Sequence, residues 1–232
     1  MDRNQALFIE GIRVSLEMID LANDRLRKVL FHVSQHSWNV GGEIPTGAFT
    51  SALLDAWSIV DAVHRLHGLV EHLPGLSKRM RIPAIRCFLQ NAKQVGDFRN
   101  RVQHLSETIS QEPLDGKWAV WGVLSWFWVY GEHQMRACTF FSGRMEPGAR
   151  TLFEAVPMKV EVPIGLIKLS QCDASICISD LFSDVRDLAA ELHRQFGALY
   201  EGRTDFADRY PADIMIALDL EERPRTAEGE PK

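Results

Sequence analysis

The chain has 232 residues, 46% hydrophobic and 25% charged, a balance ordinary for a globular protein large enough to bury a core. No stretch approaches the roughly 20 uncharged apolar residues that a membrane helix needs, and the opening MDRNQALFIEG lacks the apolar core of a secretory signal, so a cytoplasmic protein with no membrane association is expected. The formal net charge of −5 is unevenly placed: residues 1–110 carry 13 Lys and Arg against 11 Asp and Glu, and residues 111–232 carry 13 against 20. An anion-binding surface therefore belongs in the first half, which is too mildly basic for a long nonspecific duplex groove.

Residues 4–35 read as one helix, with Phe8, Ile12, Leu16, Ile19, Leu26, Leu30 and Val33 recurring at helical spacing and no proline to interrupt them. Gly41-Gly42 and Pro45-Thr46-Gly47 mark a loop. A second helix is predicted over 50–72, where Leu53, Ala56, Trp57, Val60, Val63, His67 and Val70 share a face, ended by Pro74-Gly75. A third starts near Pro83, which suits a first-turn position, and continues to about Ile109 on the stripe Phe88, Ala92, Val95, Phe98, Val102 and Leu105. Three long amphipathic helices with short connections imply a bundle over residues 1–112.

The period changes after Pro113-Leu114-Asp115-Gly116. Trp118–Tyr130 is dense in Trp, Val and Phe and is predicted as a strand, with Gly131-Glu132-His133 as a hairpin turn and Gln134–Phe141 as its return. Residues 151–162 and 165–178 are predicted as two more strands, and the simplest connection is an antiparallel meander. A helix over about 180–200 carries the stripe Val185, Leu188, Ala189, Leu192, Phe196 and Leu199. The expected organisation is α+β: a helical bundle over 1–112, an antiparallel β-meander with a terminal helix over 113–220, and a polar tail over 221–232 predicted to be disordered.

Chemistry concentrates on the third helix, in KQVGDFRNRVQHLSETI, Lys93 to Ile109. Lys93, Asp97, Asn100 and His104 fall on one polar stripe opposite Val95, Phe98 and Val102, and Asn100 and His104, four apart, are neighbours. Arg99 lies near the edge of the apolar face, about 140° from His104 on an ideal helix. A solvated face with i,i+4 pairs such as Asp97 with Arg101 accounts for this pattern without any chemistry. Arg99-Asn100-Arg101-Val102-Gln103-His104 also resembles the Arg-polar-x(3–5)-His signature of the HEPN superfamily, and the resemblance covers about residues 50–110. Ser106 stands where the HepT type carries tyrosine, so the likeness is not to that type.

The resemblance implies an α-helical, often dimeric bundle that is in many members a metal-independent ribonuclease and in others a nucleotide- or partner-binding module. It makes Arg99, Asn100 and His104 the candidate catalytic residues: Arg99 to clamp a phosphate, His104 to move a proton, Asn100 to orient either. RNA or a nucleotide is the expected ligand, and a homodimer would bring diverging Arg99 and His104 of two chains together. No cofactor is implied. The alternative is a non-catalytic structural or interaction module in which the motif only stabilises the bundle.

Competing constellations are weaker. His32 with His36, and Asp61-x-x-His64 with His67, have spacings that helical metal centres use, but His67 falls in an apolar face, where a hydrogen-bonded core histidine is commoner, and no metal is expected. Trp118, Trp121, Trp126 and Trp128 offer stacking surfaces, yet only Lys117 accompanies them, so they are read as core and sheet packing. The four cysteines, Cys87, Cys138, Cys172 and Cys177, form no CxxC pair and are expected to be reduced.

Overall fold

The structure is a computed structural model that describes residues 3–36, 46–75, 82–103, 121–132, 134–141, 163–171 and 174–200. Helices α1 (Arg3–His36), α2 (Ala48–Glu71) and α3 (Pro83–Gln103) come first. Strands β1 (Val123–Gly131), β2 (Gln134–Phe141), β3 (Ile164–Gln171) and β4 (Ala174–Cys177) follow, and α4 (Ile178–Tyr200) closes the order. The chain is α+β, with helices before the turn cluster and strands after it. The strand expected over 151–162, the tail from 221, residues 104–109 of the expected third helix and Trp118 lie outside the described residues.

Among the described residues, α1, α2 and α3 bury most of the stripe that the spacing marks. On α1, Ile12, Ile19, Leu26, Leu30 and Val33 are at most 3% exposed, with Phe8 and Leu16 at the margin. The helix α2 is buried on two sides because it packs on both α1 and α3; Ala52, Ala56, Ile59, Val60, Val63, Leu66 and Val70 are all inside. It begins after Gly47, whose φ of +83° a side chain would oppose, and Gly75 at φ +81° follows its end. Phe88, Ala92, Val95 and Phe98 bury the inner face of α3, and Phe98 stacks on Trp57 of α2 at 5.4 Å between ring centroids.

The sheet is four-stranded and antiparallel throughout, in the order β2-β1-β3-β4. That order corrects the meander: the β1–β2 hairpin forms around residues 132–133, with Gly131 opposite Gln134, but β3 pairs with the far side of β1. The reason lies in burial. Leu124, Ser125, Trp126 and Phe127 of β1 are inside, so β1 needs a neighbour on each flank, whereas β2 exposes Gln134, Met135 and Ala137 and serves as an edge. The span 165–178 also holds two strands, not one, since β3 and β4 pair with Gln171 opposite Ala174.

Helices and sheet share one hydrophobic core that runs across residue 112, from Ile12 on α1 to Leu192 on α4. Polar pins fix the layers. Trp126 Nε1 donates to Ser34 Oγ of α1 at 2.8 Å, and Ser34 in turn donates to Leu30 O at 2.7 Å, so the buried indole N–H is satisfied. The Arg27 guanidinium donates to the carbonyl of Ile164. Ser179 Oγ accepts from Ile167 N at 3.0 Å, tying the start of α4 to β3, and Asn91 Nδ2 donates to Asp184 Oδ2 at 2.9 Å between α3 and α4. Trp128 is half-buried under the Arg136 guanidinium at 5.8 Å, but Trp121 is 55% exposed, against the expectation that it packs in the core.

Candidate functional site

The polar residues of interest meet where α2 and α3 lie side by side. The inner stripe of α3 (Phe88, Ala92, Val95, Phe98) faces the core, which leaves Lys93, Gly96, Arg99 and Asn100 at its flanks. The α2 stripe likewise turns Asp61, His64, Arg65, His67 and Glu71 towards the margin of the same interface. Between them runs a groove of ≈ 670 Å³ lined by His64, Arg65, His67, Gly68, Glu71, Lys93 and Gly96, among others. That volume falls within the range of small-molecule sites, about 300–1,000 Å³.

Arg99 is half-buried and makes a charge-assisted hydrogen bond to α2: its Nε donates to Asp61 Oδ1 at 2.5 Å. Asp61 lies one turn before His64 on α2, so the ion pair sits one turn from a residue that lines the groove. The His64 ring lies against α3 at Gly96, where a Cβ would come 3.4 Å from His64 Cε1 and Nδ1, in close van der Waals contact. His64 titrates below the usual histidine value of 6.5. Burial is the largest cause, followed by the positive charge of Arg99 and then that of His67; Asp61 works in the opposite sense, and Arg65 adds a smaller push downward. His64 is thus held neutral at neutral pH, in the form that accepts a proton.

His67 is the hydrogen-bonded core histidine its apolar position suggested: Nε2 lies 3.2 Å from Leu89 O, and the ring packs at a tilt 6.5 Å from Phe88. Its Nδ1 is 3.9 Å from Glu71 Oε2 at the groove floor. Among the described residues, no group of three or more His, Cys, Asp or Glu is arranged to hold a metal ion.

Of the three residues singled out by the motif, Arg99 points across to α2 and Asn100 is exposed. His104 lies outside the described residues, one position beyond Gln103. In the sequence, Asp61 and His64 stand out only by a spacing that metal centres also use, with nothing to link them to Arg99. The signal that relates them is their spacing of three on the polar margin of α2. What the sequence withholds is that α3 runs alongside, 38 residues further on.

The described helices include none long and apolar enough to cross a membrane. Comparison with protein-family models, with curated proteins and with solved structures finds no match.

Proposed function

We propose that this protein binds RNA at the α2–α3 face and cleaves it without a metal, in the manner the HEPN-like segment implies. The observation that carries the reading is the placement of Arg99. Asp61 holds its Nε, which fixes the guanidinium against α2 one turn from His64, a neutral histidine that lines the groove. In the proposed reaction an RNA 2′-hydroxyl attacks the adjacent phosphorus. A basic imidazole takes the hydroxyl proton, the P–O5′ bond breaks, and a second group protonates the departing 5′-oxygen. A 2′,3′-cyclic phosphate and a free 5′-hydroxyl result. Arg99 stabilises the charge that builds on the phosphoryl oxygens, and His104 transfers a proton. Because an ideal helix would set Arg99 and His104 about 140° apart, the proposal includes a symmetric homodimer that apposes the two α3 segments. Light scattering that shows a monomer at micromolar concentration would remove that element of it.

The Asp61–Arg99 pair also favours a second reading, a non-catalytic module in which Arg99 is engaged in tying α2 to α3. Cleavage of mixed-sequence RNA in EDTA by the unaltered protein, Arg99→Ala and His104→Ala, with melting temperatures on the same samples, separates the two. The catalytic reading expects cleavage that falls about 10²–10⁴-fold in His104→Ala with melting unchanged, and a comparable loss in Arg99→Ala. An unaltered protein that neither binds nor cleaves RNA, together with early melting of the variants, sinks the catalytic reading.

A further inference from the structure

We infer that the α2–α3 groove is a phosphate seat in which Arg65 and Lys93 hold the anion and His64 is a second proton-transfer group, distinct from His104. The inference rests on the phosphodiester reading above and adds the residues that would receive the substrate. Its first support is composition: the groove brings Arg65, His64 and His67 of α2 against Lys93 of α3. Among the described residues Glu71 is the acidic residue that lines it, with Oε2 3.9 Å from His67 Nδ1, and Asp61 outside the lining is held by Arg99. Arg65 and Lys93 make no ion pair among the described residues, so two cations face the space without an acidic partner, an arrangement that an anion completes.

The second support is shape. Gly68 and Gly96 stand on opposite walls, and a Cβ at Gly68 would meet nothing within 4 Å, so the walls stay open to a ligand wider than a bare ion. The third is the setting of His64. It lies between Asp61 and Arg65 on its own helix and is pressed against Gly96 of α3, within the field of Arg99 and His67. A phosphate beside it adds negative charge to a site whose nearby cations disfavour the imidazolium, so binding should draw a proton onto His64. In the cleavage step, neutral His64 accepts the 2′-hydroxyl proton as the 2′-oxygen bonds to phosphorus, the P–O5′ bond breaks and the 5′-oxygen takes a proton from water; the imidazolium then returns its proton to solvent.

Titration of the imidazole resonances of the full chain by NMR, with and without inorganic phosphate and then a dinucleoside monophosphate, tests this. Phosphate is expected to raise the midpoint of His64, Lys93→Ala to weaken the apparent phosphate affinity by about tenfold, and a dinucleotide to act at lower concentration than phosphate. In a cleaving protein, His64→Gln should remove one limb of the pH–rate profile while melting above pH 6.5 is unchanged. A His64 midpoint indifferent to both ligands overturns the inference, even if the protein cleaves RNA. A midpoint that phosphate shifts in a protein that never cleaves RNA preserves the phosphate seat and ends the catalytic reading.

Discussion

Two aspartates six residues apart on α2 face two different regions of the molecule. Asp55 looks into the α1–α2 interface, where it is 2% exposed and meets Arg25 of α1 at 3.2 Å. Its Oδ2 is buried without a hydrogen-bond partner among the described residues, and burial outweighs the Arg25 charge to hold its carboxyl above the usual 3.8. Asp61 lies at the α2–α3 interface, with its side chain 46% exposed and its bond to Arg99 open to solvent. The same residue type thus does opposite things. In the first region the helices close completely over a polar group at some cost to stability. In the second they leave a polar seam that a ligand can reach. A site needs the second arrangement, and the groove is where the chain keeps cations, a neutral histidine and open space together.

The sharpest way to break this contrast is to remove packing on the closed side. Leu26→Ala, one residue beyond Arg25 and fully buried, should lower stability by about 2–5 kcal/mol, measured by chemical denaturation. The phosphate response of His64 should survive in the fraction that stays folded. An effect below about 1 kcal/mol would show that the α1–α2 interface is looser than its burial indicates.

The two regions should also oppose each other in pH. Asp55 has a raised folded value, so the stability it contributes is fully present below 3.8 and is lost as pH rises through that raised value. His64 has a lowered folded value, so its contribution is present above 6.5 and is lost as pH falls through that lowered value. Asp55→Asn should flatten the profile on the rising side of pH 3.8, and His64→Gln should flatten it below pH 6.5. Denaturation midpoints of both variants across that range check the signs, and a variant profile parallel to that of the unaltered protein in its own window would refute the assignment of that group.

The smallest effect belongs to the open pair. Asp61→Asn removes a half-exposed ion-pair partner, for which a cost of about 0–1 kcal/mol is expected. Freeing the guanidinium should strengthen phosphate binding while leaving melting nearly unchanged. A loss of several degrees in melting would mean instead that Asp61 and Arg99 chiefly bind α2 to α3, which is the non-catalytic reading.

Much of the helical layer was legible because its signals are local. Spacings such as Ile12–Ile19–Leu26–Leu30 and Phe88–Ala92–Val95 repeat within one element, and Pro83 and Gly75 punctuate at short range. The sheet was legible only as strands. β3 is buried on both faces, so its length could not be read from alternation, and Ser170–Ala174 has no Gly or Pro to mark the turn into β4. The pairing of β3 with β1 instead of β2 depends on which strand is left exposed after helices dock, a property of no single segment. At the site, Arg99 and Asn100 stood out through their motif, but the partners of Arg99 did not. An ion pair between positions 61 and 99 is set by helix packing, and neither residue carries a mark of the other.

The strand order found in the sheet also governs the sequence in which contacts form. Along β1, Val123 meets Phe141, 18 residues on, and Ser170, 47 residues on. Closing the longer loop costs about 0.8 kcal/mol more by loop-closure entropy, so the hairpin is expected to assemble ahead of the β3 ladder. Until β3 arrives, one edge of β1 offers unpaired backbone next to Leu124, Trp126 and Phe127, and this interval is when the chain is most open to pairing with another copy of itself. A late β3 also means that Ile167→Ala should speed unfolding more than it slows refolding. The residence time of the native sheet, rather than the speed of its formation, then rests on the strand that the helices cover last.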